Sequence, residues 1–331
     1  MTIAASVLVH EFITAGGLAD SADAADAELH AQGAAMRNAM LEDLLAIPGL
    51  TVACSATAAD VLPAAVAGVA HIAAGPGESQ EDFLRRVSPS FDRVWVVAPE
   101  TGGMLARLHA AVGPQRWLGA DASAIRVASS KRATRRRLAA FGLAVPCDGD
   151  SPQSPHTAWV VKPDDGVGAQ AIRLHEELTA AWRDFAGRLG RGQAATLEAW
   201  VEGAALSLSV LSARNRVEVL SVNRQAIDVD GAGRVAYRGV EHWKSACTEL
   251  RDLAHGIQLA IPGLSGYWGI DLVLRENRRP VVIEVNPRLT CAYAGLSARL
   301  GRNLAAEMLA NAEGVDVTNT DRRPETSLVG H

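Results

Sequence analysis

The chain has 331 residues, of which 48% are hydrophobic and 21% charged, and its formal net charge is −5. This composition is typical of a globular protein large enough for two or three domains. The negative charge provides no overall basic field, so we expect no nucleic-acid partner. The four cysteines show no Cys-x-x-Cys spacing, the N-terminus lacks a basic leader, and no apolar run reaches membrane-spanning length. These features predict a cytoplasmic protein with reduced thiols and no membrane partner.

The first third of the chain alternates between strand and helix patterns. We predict strands at 3–9, 50–54 and 93–98, and helices at 27–46, at 57–66 and from about 104 to 112. Such alternation is typical of an α/β domain with a parallel sheet. Ligands of these sheets bind beyond the carboxyl ends of the strands.

Two glycine-containing loops, 10–18 and 99–103, follow predicted strands. Glu11 and Glu100 in these loops are therefore candidates to bind a substrate amine. Solvated loop acids are the alternative interpretation for each of them. Gly16-Gly17 lacks the full Gly-x-Gly-x-x-Gly spacing, which argues against a nicotinamide dinucleotide.

Two lysines lie beside features that suit phosphate binding. Residues 123–142 predict one basic helix ended by Gly142, and Lys131 lies within it; a solvated basic face is the simpler explanation. A predicted strand then delivers Lys162 into a loop that contains Gly166 and Gly168. Backbone N–H groups of such a loop can surround phosphate oxygens, although an ordinary turn also fits and no P-loop signature is present.

Residues 267–290 predict a β-hairpin with a polar turn at 275–280. Asp271 lies on its first strand, while Glu284 and Asn286 share one face of the second strand. Pairing across the hairpin would bring the three side chains together, and oxygen donors of this kind suit Mg²⁺. Arg288 follows and can bind a phosphate or carboxylate. The alternative is a buried hairpin with polar ends.

The remaining segments give weaker indications. Strands are predicted at 207–211 and 217–225, and Arg224 near the end of the second is a candidate carboxylate clamp, although solvated arginine is the default. A final helix is predicted over about 292–313, and its apolar face fits either the core or a homo-oligomer interface. The tail, 316–331, is polar and without periodicity.

The run Val-Ile-Glu-Val-Asn-Pro-Arg at 282–288 resembles the ATP-grasp superfamily. Ser130-Lys131 before a helix, Lys162-Pro163 before a glycine loop and the segment 195–203 are similar to the same family in the same order. The resemblance covers about residues 120–312. It implies an ATP-grasp fold, in which two α+β lobes clamp ATP, after an N-terminal Rossmann-like α/β domain. The implied divisions are 1–118, a small lobe at 119–194, a large lobe at 195–315 and the tail.

The resemblance also implies roles for individual residues. Lys131 and Lys162 would hold the phosphates of ATP beneath the loop of Gly166 and Gly168. The hinge would bind adenine and ribose, and the residues involved would be Glu198, Ala199, Trp200, Val201 and Glu202. Asp271, Glu284 and Asn286 would hold Mg²⁺ or Mn²⁺, and Arg288, catalytic together with Lys162, would stabilise the transferred phosphoryl group.

The implied chemistry is amide formation through an acyl-phosphate, with small-molecule substrates. The N-terminal run His-Glu-Phe-Ile-Thr-Ala-Gly-Gly-Leu at 10–18 resembles a narrower ATP-grasp group that includes the tyramine–L-glutamate ligases of methanofuran biosynthesis. That group implies glutamate as the activated acid and tyramine or tyrosine as the amine, although Ile13 departs from its pattern. Another amino-acid or peptide ligase, a carboxylase acting through carboxyphosphate, and a non-catalytic nucleotide-binding regulatory module remain alternatives.

Overall fold

The computed structural model describes residues 5–17, 24–57, 62–66, 68–149, 158–166, 171–213, 216–243, 248–277 and 279–314. Two features that the sequence singled out lie outside these residues: Gly168 of the glycine loop and the tail 316–331.

A four-stranded parallel sheet forms the N-terminal part of the chain, with the strand order β3-β2-β1-β4. Its strands are β1 (Ser6–Glu11), β2 (Thr51–Ser55), β3 (Ala70–Ile72) and β4 (Arg93–Val97). Both faces are buried, as the predicted α/β architecture requires. Helix α1 (Ala24–Leu45) covers one face, while α2 (Gln80–Val87) and α3 (Met104–Val112) cover the other. Loops 12–17 and 98–103 follow β1 and β4 at the carboxyl edge.

The helix predicted over 57–66 is wrong for the described residues of that segment. They hold only a single 3-10 turn, Ala64–Val66, followed by the short strand β3. Ala-rich composition suggested a helix, but Pro63 at the start of the turn and Gly68 after it limit its length.

A three-stranded antiparallel sheet forms the small lobe, in the order β6-β5-β7. The strands are β5 (Trp159–Pro163), β6 (Arg173–His175) and β7 (Ala195–Ala199), and α6 (Leu178–Gly190) packs on one face. Trp159, Val161, Leu197 and Ala181 form the apolar layer between this sheet and α6.

The large lobe is a five-stranded antiparallel sheet with the order β10-β9-β8-β11-β12. Its strands are β8 (Ala204–Ala213), β9 (Arg216–Val229), β10 (Val235–His242), β11 (Gly266–Leu274) and β12 (Pro280–Asn286). Helix α7 (Thr248–Ala260) packs on one face through Leu250, Leu253 and Ile257. The β11–β12 pair is the hairpin predicted at 267–290, and its opposite face looks into the cleft between the lobes.

Backbone hydrogen bonds join the two lobes at the tip of the β9–β10 hairpin. The N–H of Leu174 in β6 donates to the carbonyl of Gly233 at 2.7 Å, and the N–H of Val235 donates to the carbonyl of Ile172 at 3.2 Å. The small lobe is therefore attached to the large lobe by this contact as well as by the chain at 199–204.

Two helices predicted as continuous are interrupted. The basic segment forms α4 (Ala122–Ala128) and α5 (Lys131–Ala140), because the Ser130 side chain accepts a hydrogen bond from the Ala133 N–H and starts a new helix. The last segment forms a 3-10 turn (Cys291–Tyr293), α8 (Leu296–Leu300) and α9 (Leu304–Ala312). Gly301, at φ 65°, ends α8 in the left-handed conformation.

The described part of the chain contains no helix that is long and apolar enough to cross a membrane.

Candidate active site

One row of side chains crosses the large-lobe sheet on the face that looks into the cleft. Asp271 pairs with Glu284 on β12 and with Ser207 on β8, and Ser207 pairs with Asn223 on β9. A bulge at Ile283 shifts the register, since Leu272 pairs with Val282. The bulge leaves Glu284 directly opposite Asp271, on the same face of the sheet.

Asp271 is held by two side-chain amides. Gln225 Nε2 donates to Asp271 Oδ1 at 2.8 Å, and Asn286 Nδ2 donates to Asp271 Oδ2 at 3.0 Å. Burial, and then the negative charge of Glu284, raise the pKa of Asp271 to about 6, while the two amides oppose this rise. The structure thus brings together the three side chains that the sequence proposed as metal ligands.

The donor set fits a hard divalent cation. Two carboxylates face each other, and a cation between them would offset the burial and the mutual repulsion that together raise the pKa of Asp271. Because Asn286 donates through Nδ2, its amide oxygen remains for a ligand. Among the described residues no group of three or more His, Cys, Asp or Glu side chains could hold a metal ion, so the site depends on this amide oxygen.

Lys131 lies beside the same carboxylates. Its Nζ is 3.1 Å from Glu284 Oε1 and donates to the Gly166 carbonyl at 3.2 Å. Burial would lower the pKa of Lys131, but the charge and hydrogen bond of Glu284 and the charges of Glu100 and Glu198 outweigh it and raise the pKa. Lys131 is therefore a fixed cation between the lobes.

Asp164, which the sequence analysis did not single out, sets the position of Lys131. The Lys131 N–H donates to the Asp164 carbonyl at 2.8 Å, and the Ser130 hydroxyl donates to the Asp164 carboxylate at 2.7 Å. The same carboxylate accepts the Arg132 N–H at 2.8 Å. These contacts join the end of β5 to the first turn of α5. An Asp just after a strand lysine was the only available signal.

Lys162 and Glu198 form a buried ion pair, with Nζ 2.8 Å from Oε2 and each side chain 4% exposed. They lie on neighbouring strands of the small lobe, since Lys162 pairs with Thr196 two residues before Glu198. The Glu198 carboxylate is bonded to Lys162 in this structure, so its contact with adenine or ribose stays a prediction that requires this ion pair to separate.

The hinge segment is partly committed to backbone pairing. The Ala199 N–H donates to the Cys147 carbonyl at 3.0 Å, and the Trp200 N–H donates to the Ala158 carbonyl at 2.9 Å. Neither N–H is therefore available for an adenine edge, and adenine binding by this segment stays a prediction. Val201 is buried and Glu202 is exposed. The predicted adenine contact then rests on carbonyl groups and on Val201.

Arg288 and Glu100 form a second buried pair, between the end of the large-lobe hairpin and the loop after β4. Arg288 Nη2 donates to Glu100 Oε2 at 3.0 Å, and Nε lies 2.9 Å from Oε1. Burial would lower the pKa of Arg288, but the charge and hydrogen bond of Glu100 raise it. The structure therefore brings two predicted substrate-binding residues into direct contact.

Glu11 is buried and organises the loop after β1. Its carboxylate accepts the Thr14 N–H at 2.8 Å and the Ile13 N–H at 3.2 Å. Burial raises the pKa of Glu11, while these backbone hydrogen bonds oppose the rise. A Cβ at Gly33 of α1 would lie 2.6 Å from this carboxylate. The contacts give Glu11 a structural task, and its binding of a substrate amine stays a prediction.

The structure contradicts the placement expected for Arg224. Arg224 pairs with the buried Leu206, and its guanidinium lies 5.6 Å from the Trp243 ring centre. This is the face covered by α7, opposite to Asp271. Gln225, one residue later, is the side chain that reaches Asp271. Strand alternation was the signal that would have favoured Gln225 over Arg224.

The loop after β4 also contacts the start of the glycine loop. The Gly102 N–H donates to Asp165 Oδ2 at 2.7 Å. Gly166 has φ 111°, and a Cβ there would lie 3.5 Å from Thr101 Oγ1. Both lobes therefore meet the N-terminal part of the chain at the candidate site.

Family models and solved structures give the same assignment. The model of the ATP-grasp domain matches residues 128–292, and the model of the pre ATP-grasp 3 domain matches residues 50–125. Comparison with curated protein sequences gives no match.

Among solved structures, an ATP-grasp superfamily protein from Archaeoglobus fulgidus has a TM-score of 0.67 and 22% identity, covering 95% of this chain and 89% of that chain. An L-amino acid ligase from Bacillus licheniformis has a TM-score of 0.61 and 16% identity, covering 95% and 75%. The biotin carboxylase domain of a 2-oxoglutarate carboxylase from Hydrogenobacter thermophilus, in complex with MgADP and bicarbonate, has a TM-score of 0.68 and 14% identity, covering 96% and 71%. These matches, with the two family models and the paired lobes, establish the fold. The chain belongs to the ATP-grasp superfamily.

Proposed function

We propose that the chain is an ADP-forming ligase that joins a carboxylate to an amine through an acyl-phosphate. One observation carries the proposal: three buried or nearly buried cations are each paired with a glutamate, and Lys131 among them senses the charges of all three glutamates beside the oxygen donors of the large-lobe hairpin. The pairs are Lys131–Glu284, Lys162–Glu198 and Arg288–Glu100. A polyphosphate with a divalent cation matches this mixture of fixed positive charges and oxygen ligands.

The two lysines bind the phosphates of ATP in this scheme. Lys131 reaches the cleft from α5 and Lys162 from β5, so two different elements on the small-lobe side each contribute a cation. Their glutamate partners keep the charges balanced before the nucleotide binds. Phosphate oxygens replace the glutamates at the lysines and receive charge-assisted hydrogen bonds.

Asp271, Glu284 and Asn286 would hold Mg²⁺ or Mn²⁺. When bound, the cation offsets negative charge on the phosphoryl group during its transfer. The release of Glu284 from Lys131 supplies one ligand for it. Gln225 and Asn286 keep the Asp271 carboxylate in a fixed orientation.

Arg288 stabilises the substrate carboxylate and then the transferred phosphoryl group. A carboxylate oxygen attacks the γ-phosphorus, the bond to the β-phosphate oxygen breaks, and ADP leaves. The amine then attacks the acyl carbon, the carbon–oxygen bond to phosphate breaks, and phosphate leaves with the original carboxylate oxygen. The amine attacks in its neutral form and loses one proton to solvent in this step; an amine that binds as its ammonium form first loses another proton to solvent. No protein nucleophile takes part.

We propose glutamate, through its γ-carboxylate, and tyramine or tyrosine as the substrates, in a methanofuran-type biosynthesis. The motif at 10–18 supports this choice. The domain divisions, the cytoplasmic location and a homo-oligomeric state stay predictions.

The test is substrate profiling by phosphate release. Purified protein with Mg-ATP is supplied with L-glutamate, with tyramine, with both, and with bicarbonate, and products are identified by mass spectrometry. We expect phosphate release and an amide product only when acid and amine are present together. Release with bicarbonate alone would favour a carboxylase, an alternative that the similarity to the bicarbonate-bound carboxylase domain keeps relevant. If none of the substrate combinations releases phosphate, the result would contradict the proposed ligase activity.

A further inference from the structure

The pairing of Glu100 with Arg288 joins two parts of the molecule at the reaction centre. Glu100 lies in the loop after β4, and Arg288 lies two residues after β12. The Glu100 side chain is 3% exposed and the Arg288 side chain 11% exposed. A buried arginine–carboxylate pair is among the stronger polar interactions in proteins when both of its contacts are aligned hydrogen bonds.

Glu100 occupies one edge of the guanidinium. Its two carboxylate oxygens lie at Nε, 2.9 Å away, and at Nη2, 3.0 Å away. Nη1 donates to the Leu289 carbonyl at 3.1 Å. A substrate carboxylate that binds Arg288 side-on needs the Nε–Nη2 edge, which Glu100 covers.

The contact at this edge is incomplete. Although Arg288 Nε and Glu100 Oε1 are within ion-pair distance, their alignment gives no hydrogen bond, and neither atom has a hydrogen-bond partner among the described residues. A carboxylate with freedom to align both oxygens would form two good hydrogen bonds there. The pair is thus well suited to exchange.

We propose that Glu100 is an internal stand-in for the substrate carboxylate, which holds the Nε–Nη2 edge of Arg288 until the substrate displaces it. The identity of the incoming acid rests on the proposed function. The stand-in itself rests on the contacts of Glu100 and Arg288 alone.

Displacement has a consequence for the order of binding. A displaced Glu100 is a buried carboxylate that has lost its arginine, and such a charge is costly until a cation replaces the partner. The ammonium form of the second substrate is such a cation. Binding of the acid therefore favours binding of the amine, and by linkage the amine favours the acid. Glu100 thus acts on the specificity for both substrates.

Formate, the smallest carboxylate, tests the stand-in without any assumption about the substrate. In the Glu100→Ala variant the Nε–Nη2 edge is uncovered, and formate should raise the melting temperature in a saturable manner. We expect its dissociation constant to be lower than in the wild type by about tenfold or more, because the wild-type edge is mostly occupied. Equal formate affinity in the two proteins would overturn the proposal.

The matched control is Glu78→Gln, which breaks an exposed two-contact pair with Arg86 at 2.7 and 2.6 Å, far along the chain from the site. It should bind formate like the wild type. Glu100→Gln is the second variant, because it keeps the shape of the side chain if Glu100→Ala does not fold. A neutral amide competes less well for Arg288, so formate should again bind more tightly than to the wild type, and unchanged affinity would contradict the stand-in.

Calorimetry with L-glutamate separates this inference from the proposed function. With a non-hydrolysable Mg-ATP analogue present, Glu100→Gln should bind L-glutamate more tightly than the wild type and lose the increase in tyramine affinity that glutamate causes. If neither protein binds L-glutamate, the proposed substrate is wrong, and the formate result alone decides whether Glu100 is a stand-in.

Discussion

Lys131 Nζ lies 3.1 Å from Glu284 Oε1, so a proposed phosphate-binding lysine is paired with a proposed metal-binding carboxylate. The lysine comes from the small-lobe side through α5, and the glutamate comes from β12 of the large lobe. The pair links the two lobes before any nucleotide binds. Nucleotide and metal must separate the two side chains, which couples phosphate binding to metal binding.

The Glu284→Gln variant tests this coupling. We expect Mg²⁺ to tighten ATP binding to the wild type, and we expect this effect to fall by about tenfold or more in the variant, because one charged oxygen ligand is lost. ATP binding without Mg²⁺ should not weaken, since Lys131 no longer has a charged competitor. Calorimetry with and without Mg²⁺ measures both quantities.

Glu276→Gln, an exposed change in the turn of the same hairpin, is the control. Equal Mg²⁺ dependence in both variants would contradict the metal role of Glu284.

Neighbouring residues on β9 provide a matched comparison for the metal site. Gln225→Met removes the hydrogen bond to Asp271, and loss of such a supporting contact costs about 10–100-fold in metal affinity. Arg224→Met alters the opposite face, so it should leave metal affinity unchanged. Mn²⁺ titration followed by electron paramagnetic resonance, in the presence of ATP, measures the affinity. An equal loss in both variants would show that the effect is general to the strand.

The tip of the β9–β10 hairpin offers a test of lobe opening. Gly233 has φ 76°, and a Cβ there would lie 2.2 Å from the Leu174 carbonyl oxygen, so Gly233→Ala should break the contact between the lobes. Each lost hydrogen bond contributes about 0.5–1.5 kcal/mol, which predicts nucleotide dissociation faster by about tenfold. Gly231→Ala, in the same turn with no atom within 4 Å of its Cβ, should leave the rate unchanged.

Stopped-flow measurements with a fluorescently labelled ATP analogue give these dissociation rates directly. Melting temperatures of both variants check that the hairpin change has not unfolded the large lobe. Equal dissociation rates for Gly233→Ala and Gly231→Ala would show that the hairpin contact does not limit lobe opening.

His10 predicts a pH dependence of folding stability. Burial lowers the pKa of His10 from its ordinary value of 6.5 to about 3. Below pH 6.5 the unfolded chain therefore binds a proton that the folded protein does not bind. The free energy of unfolding is therefore not reduced by His10 above pH 6.5. As the pH falls from 6.5 towards 3, protonation of His10 in the unfolded chain reduces it by about 1.4 kcal/mol per pH unit.

The His10→Gln variant isolates this contribution. Between pH 7 and pH 5 the free energy of unfolding of the wild type should fall by about 2 kcal/mol more than that of the variant. Urea denaturation at the two pH values gives both numbers. Parallel pH profiles for the two proteins would contradict a buried neutral His10.

Local patterns predicted the large-lobe strands and the β11–β12 hairpin because alternation and turn residues act over short distances. Asp271, Glu284 and Asn286 were identifiable, since two lie on one strand face and the hairpin brings the third opposite. Arg224 was misplaced because its charge drew attention while strand alternation selects Gln225. The helical periodicity of 123–142 predicted one helix and did not reveal the break at Ser130, although serine is a common N-cap.

Ion pairing between distant segments was beyond local patterns. Glu100 meets Arg288 only because the loop after β4 and the end of β12 converge in the fold. The Glu198 carboxylate likewise reaches Lys162 through strand pairing within the small lobe. The sequence indicated that these charged residues lie at or near the ends of strands. Which residue each of them pairs with depends on tertiary contacts.

Transfer of ¹⁸O from substrate to phosphate tests the central claim most directly. L-Glutamate labelled with ¹⁸O in its γ-carboxylate is turned over with Mg-ATP and tyramine, and the released phosphate is analysed by mass spectrometry. An acyl-phosphate intermediate predicts that each phosphate carries one oxygen from the carboxylate. Amide formation with unlabelled phosphate would contradict the proposed mechanism.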